Sequence, residues 1–264
     1  MATTVPTDAR STNRAEPVIR KIGTADLREA LARGWDDFKA IPTQLFFLCI
    51  LYAVIGLVAA RAAATGQLMP LLWPMVSGFA LVGPVAALGL YEISRRREKG
   101  LAVAWYDVFK VLRSPAIVSI AFLAVAMVVI FVAWLFVAQA IYDSTMGNYR
   151  PASFGEFLNR VFTTREGWQL SILGNGVGFL FSAVVLAVTV VSFPMLLDRN
   201  VEPGLAVRTS VRAVLANPVT MGIWGLIVGV LLILGSIPLF IGLAVVLPVL
   251  GHATWHLYRR VVAE

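Results

Sequence analysis

Between Pro42 and Trp255 the chain holds six long apolar stretches in which no Asp, Glu, Lys or Arg falls near the centre. A helix needs about 20 mostly apolar residues to cross the roughly 30 Å hydrocarbon layer of a bilayer. The stretches therefore read as six membrane spans, near residues 43–60, 68–91, 116–141, 169–197, 219–234 and 237–255. Composition agrees, since 59% of the residues are hydrophobic and only 14% are charged. A soluble domain carries about 25% charged residues. Ion paths and proton relays announce themselves through charge inside the membrane, and these stretches carry none.

The basic residues cluster beside the spans. If both termini lie on one side, that side takes 18 of the 22 Lys and Arg residues, leaving Arg61, Arg150, Arg160 and Arg165 on the other. Basic residues gather on the cytoplasmic face, so both termini are expected there and the host is expected to be a bacterial inner membrane. The net charge of +7 follows from this topology and does not call for nucleic acid. Residues 1–17 read as a disordered cytoplasmic tail, and residues 18–264 as one six-helix domain. No cleavable leader is expected, because residues 1–41 lack a continuous apolar core. The lone Cys49 reads as a small buried hydrophobe.

A threefold pattern runs through the chain. Each odd-numbered span follows a short amphipathic segment that ends at proline, at Pro42, Pro115 and Pro218. In the first, Leu27, Leu31, Gly34, Phe38 and Ile41 share a helix face, with Thr24 expected as N-cap. In the second the face is Trp105, Val108, Phe109 and Leu112; in the third it is Val207, Val211, Val214 and Leu215. Gly-Leu-Ala-Val opens two of them, at 100 and 204, and Pro84 and Pro248 each stand 11 residues before an Arg-Arg pair. The pattern predicts an all-α protein of three two-span hairpins, each preceded by a cytoplasmic amphipathic helix resting in the headgroup layer. Gly235 and Ser236 predict a tight turn between the last two spans.

Chemistry-bearing residues are few. His252 and His256 are the only histidines, and their i, i+4 spacing is one that metal or haem sites use. No other ligand lies near them in sequence, so they read as polar rings at the inner end of span six, with a metal role the lesser alternative. A contact between His256 and Glu92, its counterpart in span two, is conceivable on the repeat. Arg95, Arg96, Arg97 and Lys99 form the densest basic cluster, explained by topology or by binding of an anionic lipid headgroup. Asp36 and Asp37 are expected on the solvated face of the first amphipathic helix. Gly174-Asn175-Gly176-Val177-Gly178 lies inside a span, so it predicts close helix packing rather than phosphate binding. Asn175 is expected to bond across helices and is the residue to test for a substrate pathway. The external segment 142–168 should hold a helix capped by Ser153 and Glu156, with Phe154, Phe157, Leu158, Val161 and Phe162 on its apolar face. No set of residues for nucleophilic, acid–base or cofactor chemistry is present, and no cofactor is expected.

Gly34-Trp-Asp-Asp-Phe38 ahead of Pro42, the Pro84 span running into Tyr91-Glu-Ile-Ser-Arg-Arg-Arg97, and Gly100-Leu101 with Trp105 carry a resemblance. From about Val18 onward the chain resembles a bacterial family known only as predicted integral membrane proteins with a domain of unknown function. The resemblance implies an inner-membrane protein and brings no reaction or site. The expected role is a non-catalytic accessory or scaffolding subunit, in contact with lipids and other integral membrane subunits, for instance of a respiratory complex. The alternative is a small-molecule or lipid transporter with a site between the repeats.

Overall fold

The computed structural model describes residues 16–41, 54, 74–75, 83–151, 153–238 and 240–263. Every element among them is helical: α1 (Thr24–Ala40), α2 (Leu88–Glu98), a 3-10 helix (Trp105–Arg113), α3 (Ile117–Met146), α4 (Phe154–Thr163), α5 (Arg165–Thr189), α6 (Ser192–Arg199), α7 (Pro203–Ala216), α8 (Pro218–Ser236) and α9 (Leu243–Val261). The first expected span and most of the second lie outside the described residues, as does nearly all of the expected tail.

Three described helical stretches are long and apolar enough to cross a membrane. They are Ile117–Met146 with mean hydropathy 3.0, Arg165–Arg199 with 2.4 and Pro218–Ser236 with 2.2. These match the third, fourth and fifth expected spans. Only 22% of the apolar window of α3, and the same share of α8, is buried inside the protein. Val118, Phe122, Val125, Val129, Val132 and Phe136 face outward from α3, as suits a surface whose solvent is hydrocarbon. The extra length of α3 carries Tyr142 and Met146 past the apolar zone, where they pack with Phe157 of α4. Ser153 caps α4 by accepting from the Glu156 amide.

The sixth stretch differs from its expected form. Residues 237, 238 and 240–242 are turns, and α9 begins only at Leu243. The tight return to α8 still forms, since a Cβ on Gly242 would lie 2.8 Å from the Gly235 backbone. From Leu250 onward α9 is buried on nearly every side, so its inner half is the core of a helical layer.

The fourth span is broken, and proline explains where. Pro194 has no amide hydrogen and its ring collides with the carbonyl four residues earlier, so regular helix stops at Thr189 and restarts at Ser192. The Val191 amide, buried at this break, donates to Ser210 Oγ of α7 at 3.1 Å. Ser210→Ala is expected to cost about 1–3 kcal/mol by leaving that amide unpartnered; thermal unfolding in detergent against wild type measures it.

The inner layer is built from α1, α2, α6, α7, the 3-10 helix and the end of α9. Helix α1 packs along α9, the 3-10 helix along α2, and α7 against α5 and α6. The faces they bury against the protein coincide only in part with the apolar faces expected in the headgroup layer. Leu27, Ala30, Gly34 and Asp37 are buried on α1, and Ala206, Thr209, Ser210 and Ala213 on α7, while Leu215 is 72% exposed. Val108 and Val111 are buried on the 3-10 helix, while Trp105, Phe109 and Leu112 are exposed. Small and polar groups let helices approach one another, and large apolar groups are left to lipid. Gly23, not Thr24, is the N-cap of α1.

Candidate functional site: a buried carboxylate junction

The most concentrated polar chemistry among the described residues lies where α1, α2 and α9 meet. Gly34 brings α1 against Ala253, which on α9 lies beside His252 and about one turn before His256. The next buried residue on α1 is Asp37, 7% exposed. Asp37 was expected on the solvated face; in α1 it instead shares the buried face of Leu27, Ala30 and Gly34, while Asp36 stays outside with Lys39 at 2.9 Å.

Four side chains converge on Asp37. Arg97 Nη1 donates to Oδ1 at 2.7 Å and also to the Asp36 carbonyl at 3.0 Å. Ser94 Oγ donates to Oδ2 at 2.5 Å, and His256 Nε2 donates to the same oxygen at 2.8 Å. His252 Nδ1 lies 2.8 Å from Ser94 Oγ and 3.9 Å from Asp37 Oδ2. The serine hydrogen is already spent on Asp37, so the donor count makes His252 the Nδ1–H tautomer. Its Nε2, fully buried, makes no hydrogen bond. Burial alone would raise the Asp37 carboxyl; the hydrogen bonds from His256 and Ser94 and the nearby imidazoles of His256 and His252 outweigh it and hold it below the ordinary carboxylate value.

The i, i+4 spacing thus does put both histidines on one face, and the carboxylate beside them comes from α1, 219 positions away from His256 in sequence. Glu92 is not that partner. It is buried against Arg95 at 2.7 Å, with Arg96 at 3.9 Å, so the conceivable Glu92–His256 pair does not form. Three of the four proposed lipid-binding residues are likewise turned to carboxylates: Arg95 and Arg96 to Glu92, and Arg97 to Asp37. Lys99 is exposed. Asn175 is exposed on α5 and donates to the Ser171 carbonyl of its own helix at 2.8 Å. Of the glycines around it, Gly178 meets the Trp134 ring, with 3.1 Å available to a Cβ.

A second network ties the inner ends of α2, α6 and α9. Glu98 accepts from Trp255 Nε1 at 3.1 Å and Arg259 Nε at 3.0 Å. Asp198 accepts from the Tyr258 hydroxyl at 2.9 Å. Around both networks the chain closes on itself: Ile19 bridges to Val262, and Arg260 pairs with Glu29 and, at 3.7 Å, with Asp26.

Asp37 accepts three hydrogen bonds, from Ser94 and His256 on Oδ2 and from Arg97 on Oδ1. The arrangement fastens three helices that are distant in sequence. Sequence reading missed Ser94 and Arg97 as partners because nothing local links them to Asp37.

Neither the curated proteins nor the solved structures contain a match to the chain. Residues 72–198, which hold α2, the 3-10 helix and α3 through α6 up to Asp198, are similar to the family model described as "Predicted integral membrane protein (DUF2189)"; with three membrane-length helices among its described residues, this chain is an integral membrane protein, and Asp37, His252 and His256 lie outside the matched segment.

Proposed function

We propose that this is a non-catalytic, multi-pass inner-membrane protein that serves as an accessory or scaffolding subunit beside another integral membrane assembly. The observation that carries this reading is the division of its surface. Asp37, Glu92, Glu98 and Asp198 are held by basic or hydroxyl groups of the same chain. Among the described residues, what the molecule offers to its surroundings within the membrane is the outward apolar side chains of α3, α5 and α8. A respiratory complex is one assembly of suitable chemistry.

The reading includes six spans in three repeated units with both termini cytoplasmic. Two ion pairs support the repeat. The third residue of α1, Asp26, accepts from the Gly23 amide and faces Arg260; the third of the 3-10 helix, Asp107, accepts from the Ala104 amide and faces Arg96 at 4.0 Å. Each arginine stands 12 residues after its proline, Pro248 or Pro84. Each amphipathic helix thus docks on the last helix of the preceding unit, and the first unit docks on the third. The transporter alternative draws on the break ahead of Pro194, but the inner ends of α2, α6 and α9 meet around fully buried Phe193, Leu196 and Trp255.

Affinity purification at native expression, in mild detergent, tests the proposal. An integral membrane protein is expected to co-purify in fixed stoichiometry, and reciprocal tagging should return this chain. Purification as a lone monomer from native membranes would overturn it.

A further inference from the structure

We propose that the groove between α2, the 3-10 helix and the start of α3 binds an acyl chain of an anionic phospholipid, with the phosphate held at Arg113. The groove measures about 330 Å³ and its lining is apolar throughout, including Leu88 and Gly89 of α2, Val108 and Leu112 of the 3-10 helix, and Ile120 and Ala124 of α3. That volume is at the small end of ligand sites, which begin at roughly 300 Å³, and the lining offers a ligand no hydrogen-bonding side chain. An occupant must therefore be hydrocarbon.

The rim supplies the rest of the ligand's chemistry. Arg113 lies in the chain between Leu112 and Ile117, both of which line the groove. It is exposed and has no acidic partner among the described residues, and the same is true of Lys99. Lys110, by contrast, is already committed to Asp107 at 2.5 Å. Trp105 and Tyr106 are both more than half exposed on the 3-10 helix, and such rings settle at headgroup level. An apolar groove flanked in the chain by an exposed arginine, beside interfacial aromatic rings, is complementary to the acyl chain and the phosphate of an anionic phospholipid. Gly89 keeps the back wall closed, because a Cβ there would lie 2.7 Å from Val108 Cβ. The inference requires that the protein lie in a bilayer and is independent of any partner subunit.

The test uses the full chain reconstituted in phosphatidylcholine vesicles containing phosphatidylglycerol, then extracted and examined by native mass spectrometry. One phospholipid per chain should be retained, with phosphatidylglycerol preferred by about fivefold, the weight of one basic residue at an anionic surface. Ala121→Trp and Ala124→Phe, which fill the groove, should each lose the lipid whatever its headgroup. Arg113→Gln, an exposed change that leaves the fold intact, should keep the lipid and lose the preference. Retention unchanged in both filled variants would overturn the proposal, as would an unaltered preference in Arg113→Gln. So would efficient disulfide formation between Cys49 and Ala121→Cys, which would show that the chain's own residues occupy the groove. Partner capture is read separately, so loss of either proposal leaves the other standing.

Discussion

Asp37→Ala is expected to loosen α1 from the rest of the inner layer and to lower stability by about 3 kcal/mol, the lower end for breaking a buried ion pair. The variant would leave Ser94 and His256 buried without their acceptor and Arg97 without its partner, although Arg97, with 31% of its side chain exposed, recovers part of its loss through water. Thermal unfolding in detergent gives the size of the effect, and faster proteolysis within residues 24–40 gives its place. Asp37→Asn keeps one acceptor oxygen and should cost less. Wild-type stability and protection in Asp37→Ala would show that the junction holds nothing together.

The same carboxyl sets an acid dependence. Its folded value lies below its unfolded one, so its contribution is fully present above the ordinary carboxylate value of about 3.9. That contribution is lost as pH falls through the lowered folded value, because the unfolded chain there binds a proton that the folded chain does not. The difference in stability between wild type and Asp37→Ala should therefore narrow only at acidic pH, as far as this group governs it.

Gly34→Leu should produce the second large effect. A Cβ at this position would stand 2.6 Å from the Ala253 amide nitrogen and 2.8 Å from its Cα. These are backbone atoms in the most buried part of α9, so no side chain can swing aside and the two helices must separate. Overpacking of this kind costs about 1–3 kcal/mol, and separation would also stretch the Asp37 contacts lying one turn further along α1. Gly204→Leu on α7 is the control. No described atom lies within 4 Å of its Cβ position, so its cost should stay within about 0.5 kcal/mol. Equal melting temperatures for the two variants would mean that α1 is not seated on α9 as described. Because the two sites share one interface, the Gly34→Leu and Asp37→Ala effects should fall short of additivity when combined.

The membrane-embedded elements were legible because their cause is local. A run such as Ala116–Ile141 must be helical and must meet lipid whatever its neighbours are, and α3 follows it to within five residues at either end. The Ser153 cap and the placement of His252 and His256 on one face are local in the same sense. The apolar faces of the amphipathic segments were expected in the headgroup layer, and Trp105, Leu112 and Leu215 are exposed. What the segments did not disclose is the face turned to the protein, where close helix contact selects small or polar residues such as Ala30, Ala206 and Ser210.

By itself, then, the sequence determined that the protein is helical, membrane-embedded and without charge in its long apolar runs, because hydropathy and helix period are properties of consecutive residues. Which polar groups face one another was decided only by the tertiary structure. Asp37, Ser94, Arg97, His252 and His256 come from three helices spread over most of the chain, and no periodicity within any one helix encodes a contact with another. Their meeting depends on the Gly34–Ala253 contact, which sets the rotation of α1 and so turns Asp37, rather than Asp36, into the protein.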